Sequence, residues 1–134
     1  MPVGGFPGAR SLQKALMRLA LLCCAALQLP PGAQAAGPVT RCGWFENPTP
    51  ANVTLTDRDG EWLIGMQGGH QADGDWPRFR KSEWVATNGS YGHGCACLKV
   101  IADPKTREVK QIVSAKARPL KACREDRALK EPTD

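Results

Sequence analysis

No apolar run in these 134 residues is long enough to cross a bilayer. The longest, Leu19–Leu29, ends after eleven residues, whereas a membrane-spanning helix needs about 20. C-x-x-C is absent, which removes the signature of a thioredoxin-like redox centre. Aromatic residues make up 6% of the chain and are not interleaved with Lys and Arg as in nucleic-acid binders, so no nucleic-acid partner is expected. Asp57-x-Asp59-Gly60 and Asp73-Gly74-Asp75 lack both the sixth-position glycine and the bidentate glutamate of an EF-hand. They read as turn chemistry, because aspartate beside glycine suits tight turns. There is no internal repeat, no heptad and no long amphipathic helix.

The first 35 residues carry the features of a cleaved secretory signal. Arg10, Lys14 and Arg18 precede the apolar run, Pro30-Pro31-Gly32 ends it, and Ala33-Gln34-Ala35 offers small residues for cleavage. With residues 1–35 removed, a single small β-rich domain over residues 36–134 is expected, with no membrane span. Three of the 18 basic residues leave with the signal, so 15 Lys and Arg face 13 Asp and Glu, a formal charge of +2 in place of +5. The remainder is a solvated surface with a mildly basic C-terminal third.

Four cysteines remain, Cys42, Cys95, Cys97 and Cys123, and an even count in a short exported chain reads as a disulfide framework. A Cys95–Cys97 bridge is disfavoured, because extended Cα atoms two residues apart lie near the limit of about 7 Å. Cys42 then bonds one member of the C-x-C pair and Cys123 the other. Loop lengths are too similar to choose between these two pairings. Both ends of the domain become tied to one central strand.

Polar–apolar alternation predicts strands over Asn52–Thr56 and Glu61–Gln67, joined by the Asp57–Gly60 turn. Trp62, Ile64 and Met66 share a face of the second. The two prolines of Arg41–Pro50 make that segment extended. Gly68–Arg80 has no period and reads as a long loop, a common place for function. A short strand is expected near Trp84, then a glycine-rich turn carrying Tyr91 and His93. Cys95–Ala102 and Glu108–Ala117 form a second hairpin around Asp103–Thr106, with Val109, Gln111, Val113 and Ala115 on one face. A helical turn surrounds Cys123. The fold class expected is all-β, a small disulfide-stapled sandwich or barrel of about five or six strands.

Four blocks, Cys42-Gly-Trp-Phe-Glu-Asn-Pro-Thr-Pro50, Asp57-Arg-Asp-Gly-Glu-Trp62, Gln67-Gly-Gly69 and Asn88-Gly-Ser-Tyr-Gly-His-Gly-Cys-Ala-Cys97, carry a family likeness. Together they resemble a family of small exported bacterial proteins catalogued only as a domain of unknown function. The likeness runs from Arg41 to about Leu129. It implies a Gram-negative periplasmic or secreted location, and it implies no activity.

The residues themselves point to a non-enzymatic exported binding or interaction module. Trp76, Arg78 and Phe79 in the loop, with Tyr91 and His93 on the turn, are the candidate binding residues. A rigidly held indole offers large apolar area and an N–H at little entropic cost. The expected partner is a cell-envelope glycan, peptidoglycan or a periplasmic protein; no cofactor and no metal are expected, and no oligomeric state is implied. One alternative is a small metal- or thiol-dependent enzyme centred on His93, Cys95 and Cys97, which requires free thiols. The other is a structural accessory protein with no small ligand.

Overall fold

The computed structural model describes residues 37–133, together with Gly4. The secretory signal expected over residues 1–35 otherwise lies outside the described residues. Six strands, β1 (Val39–Thr49), β2 (Asn52–Asp57), β3 (Gly60–Gly65), β4 (Trp84–Asn88), β5 (Tyr91–Asp103) and β6 (Glu108–Arg118), precede one short helix, α1 (Leu120–Arg124). They form one sheet in the order β1-β2-β3-β6-β5-β4, and β1 also pairs with β5. That extra pairing rolls β1, β2, β3, β6 and β5 into a barrel, with β4 beside the first residues of β5. The expected all-β, disulfide-stapled class is therefore the observed one.

The barrel is open at one seam, where β3 and β6 meet through a single parallel pair, Leu63 with Glu108. Chain from the long loop fills the rest. The Ala72 N–H donates to Ile64 O (2.8 Å), the Asp73 N–H to Lys110 O (3.0 Å) and the Ile112 N–H to Asp73 O (2.7 Å). The first part of the loop thus satisfies backbone groups of both strands that would otherwise lack partners.

Inside the barrel pack Phe45, Val53, Leu55, Trp62, Ile64, Ala96, Leu98, Val100, Val109 and Ile112. Strand alternation explains most of this set. Met66 departs from the expected face: it lies one residue beyond β3 and is half exposed. Val113 departs as well, because the β5–β6 register shifts between Lys99 and Val100, opposite Ser114 and Ile112. A second slip, between Ile101 and Ala102 opposite Gln111 and Val109, puts Ile112 in phase with buried Val109, and the first leaves Val113 as the extra, exposed residue. The glycine-rich turn is also shorter than expected. Tyr91 and His93 already belong to β5, and Gly94 faces inward where a Cβ would sit 2.5 Å from the Phe79 ring.

One end of the barrel is closed by a polar cluster. Buried Asp57 accepts from Arg41 Nη1 at 2.8 Å, from the Asp59 N–H at 2.9 Å and from Trp62 Nε1 at 3.1 Å. The guanidinium groups of Arg41 and Arg107 lie over the Trp62 ring, at 3.6 and 4.4 Å from its centroid. The aspartate expected to serve only a turn also neutralises a partly buried cation. Outside the barrel a second, smaller core forms where Trp44, Cys95 and Cys123 pack with Leu120 and Leu129 of the C-terminal segment.

Candidate functional site

The disulfides join Cys42 to Cys97 and Cys95 to Cys123. Register decides the pairing: Cys42 stands directly opposite Cys97 across β1–β5, while Cys95 stands opposite Trp44. Cys95 is left to reach the helix. Two bonds of this kind are consistent with an exported protein. They also remove the thiolates that the His93, Cys95 and Cys97 alternative requires.

His93 lies on the outer face of β5 beneath the C-terminal segment, only 4% exposed. Its ring meets Trp44 edge-on at 5.3 Å, and Nε2 is 3.3 Å from Glu131 Oε1. Arg124 in turn donates two N–H bonds, both 2.8 Å, to the Glu131 carboxylate. These bonds hold the Glu131 carboxyl at about 2, below its ordinary 4.5, with His93 adding to the effect. A depressed folded value means that tail docking gains from Glu131 above pH 4.5 and loses that gain as pH falls from 4.5 towards 2. Near-UV circular dichroism of Trp44 is expected to show a step in that window. The step should vanish in Glu131→Gln, and an identical step in both proteins would contradict this role.

Three acidic residues of the two turns have partners within the fold. Asp57 and Asp59 bind Arg41, Asp73 pairs through its backbone, and Glu83 accepts the Arg80 N–H at 2.9 Å. Glu46 and Glu61 do share a shallow depression of about 290 Å³ on the outer face of β1–β3. Burial raises the Glu46 carboxyl, the Thr56 hydroxyl that donates to it opposes this, and the Glu61 charge raises it further.

A more defined site lies where the loop leaves the barrel. Trp76 stands 37% exposed with its ring against Phe45 at 6.0 Å. Phe79 bridges Phe45 (5.8 Å) and Trp84 (4.9 Å), and Pro77 between them is buried. Trp84 is itself pinned, since its Nε1 donates to Ser90 O at 3.1 Å. These rings and Asn47 surround a pocket of about 330 Å³, with Arg80 and Lys81 at its mouth. Trp76 and Arg80 also border a larger groove of about 1150 Å³, along which Arg78, Lys116 and Arg118 stand.

Of the residues singled out in the sequence, Trp76, Arg78 and Phe79 come together here. Tyr91 and His93 line neither cavity. By strand alternation Tyr91 shares the outer face of β5 with His93 and Cys95. Trp84, Phe45 and the edge of β6 also belong to the site, although none of them lies in the loop. Only the cluster of aromatics around the loop hinted at them.

Fold and surface define a class: a small disulfide-stapled β-barrel with an aromatic pocket opening into a basic groove. The family model for a protein of unknown function (DUF4087) matches residues 37–130, and the chain belongs to that family. Comparison with curated proteins and with solved structures finds no match. Among the described residues no helix is long and apolar enough to cross a membrane.

Proposed function

We propose that the protein is a non-enzymatic binding module, exported to the periplasm or secreted, that engages a component of the cell envelope through the Trp76–Trp84 surface. The aromatic pocket carries this reading. Its volume of about 330 Å³ is of ligand-pocket size, and the rings of Phe45, Trp76, Pro77, Phe79 and Trp84 make up most of its wall. Exposed Trp76 costs little to hold in place, because Phe45 and buried Pro77 already fix it. The cations beside it, none of them in a salt bridge among the described residues, favour an anionic partner, a property shared by peptidoglycan and acidic proteins.

The test is retention of peptidoglycan sacculi and periplasmic extract by the purified domain. Trp76→Ala is expected to weaken retention at least about tenfold, the loss typical of a central aromatic anchor. Its circular dichroism should not change. Tyr91→Ala, on another face, should bind as wild type does. Equal retention by Trp76→Ala and wild type would remove this surface from consideration.

A further inference from the structure

Strand β6 is paired along its whole length on one side only. There β5 accompanies it from Asp103–Glu108 to Cys95–Arg118. On its other side, partners end at Ile112, whose N–H donates to Asp73 O. From Val113 to Arg118, no backbone hydrogen bond runs to that side among the described residues. The chain that could have continued the pairing turns away at Gly74. Its φ there is +102°, and a Cβ would lie 2.1 Å from Ile112 O. The space between the departing loop and the strand edge is the groove of about 1150 Å³.

We propose that this groove receives an extended acidic segment of another polypeptide, which adds to β6 as a further strand. The inference rests on the binding-module reading and names its partner class. An unpaired edge presents N–H and C=O groups spaced for a strand, and six residues span roughly 20 Å at about 3.3 Å each. Charge selects the occupant. Arg78, Arg80, Lys116 and Arg118 border the groove against Asp75 and Glu83, and Glu83 is already occupied by the Arg80 N–H. None of the four cations is in a salt bridge among the described residues.

The same charges work against self-association. A second copy pairing antiparallel edge to edge about Ala117 would set Lys116 of each copy against Arg118 of the other, a device proteins use to protect exposed strands. An acidic strand meets attraction at those positions. Ala115 and Ala117 are half-buried and small, so a neighbouring backbone can approach. The aromatic pocket shares Trp76 and Arg80 with the groove and would hold one apolar side chain of the segment, fixing its register.

The experiment uses a pool of roughly ten-residue peptides with Asp or Glu at alternate positions, a matching Lys pool, and soluble peptidoglycan fragments. Peptides recovered from the acidic pool are resynthesised with N-methyl groups on one or the other alternating set of residues. We expect acidic peptides to bind and the Lys pool to fail. One N-methyl phase should lose at least about tenfold in affinity while the other is retained, since alternate N–H groups face β6. Lys116→Glu with Arg118→Glu should weaken the acidic peptides comparably. Equal loss in both phases or in neither, equal binding of the Lys pool, or no peptide binding would overturn the strand-addition proposal. Trp76-dependent binding of peptidoglycan fragments alone would overturn it while leaving the binding-module reading intact. Loss of every Trp76-dependent interaction would overturn both.

Discussion

Reduction of the two disulfides is expected to unfold the barrel or leave it on the edge of unfolding at room temperature. Cys42 and Cys97 are 55 residues apart and Cys95 and Cys123 are 28 apart. Loop-closure entropy assigns such bridges about 4 and about 3.5 kcal/mol. The whole net stability of a domain this size is about 5–15 kcal/mol. The two terms share the short stretch around Cys95–Cys97 and will not add fully. Even so, their removal takes a large part of the total. A urea titration followed by tryptophan fluorescence, with and without a phosphine reductant, measures this directly. The oxidised midpoint should exceed the reduced one by about 2 M or more, given a slope of about 1–3 kcal/mol per molar urea. Coincident curves would mean that the core alone sustains the fold.

The bridges should also differ in what they hold. Cys42–Cys97 locks β1 to β5 inside the sheet, so its loss acts on the whole barrel. Cys95–Cys123 ties down the C-terminal segment, and its loss first exposes Trp44 and His93.

Asp57→Ala should be nearly as damaging as reduction. The substitution leaves Arg41 with one largely exposed partner, Asp59 at 3.2 Å, and strips the Trp62 indole of its acceptor. Breaking a buried pair by removing one member costs about 3–5 kcal/mol, since the surviving charge stays desolvated. Asp57→Asn keeps an oxygen for the indole N–H and should lose less. Replacing Arg41 and Asp57 together by apolar residues should recover part of the Asp57→Ala loss. Thermal denaturation of the four proteins tests the scheme. If Asp57→Ala melted within about 1 °C of wild type, the cluster would be a surface feature without structural weight.

The parts of this molecule that could be read from its sequence are those in which local chemistry decides. The β2–β3 and β5–β6 hairpins follow from alternation interrupted by Asp-Arg-Asp-Gly and Asp-Pro-Lys-Thr. Cysteine arithmetic reached two bridges but not their pairing, because register between β1 and β5 is a property of strands far apart in sequence. Glycines misled at Tyr91 and His93. A glycine needed for a turn and one needed because a ring or carbonyl occupies its Cβ space look alike in one dimension, and Gly92 and Gly94 are of the second kind.

Bulges are silent in the same way. Val113 and Ile112 are chemically equivalent candidates for the core, and only the slip in register separates them. Trp76, Arg78 and Phe79 stood out as loop residues. Phe45 and Trp84, which complete the pocket, come from strands that meet the loop only in the folded barrel. The free edge of β6 was least visible of all, since it depends on where residues 71–73 stop serving as wall.

The loop surface around Trp76 is the proposed meeting place of this protein and its partner. Amide chemical-shift mapping of the isotope-labelled, oxidised domain against fractionated envelope extract tests it most directly. Shifts are expected to concentrate in Asp75–Trp84 and Val113–Arg118, with the amides around His93 and Glu131 undisturbed. Shifts confined to the Glu46 and Glu61 depression, or to the C-terminal segment over Trp44, would contradict it.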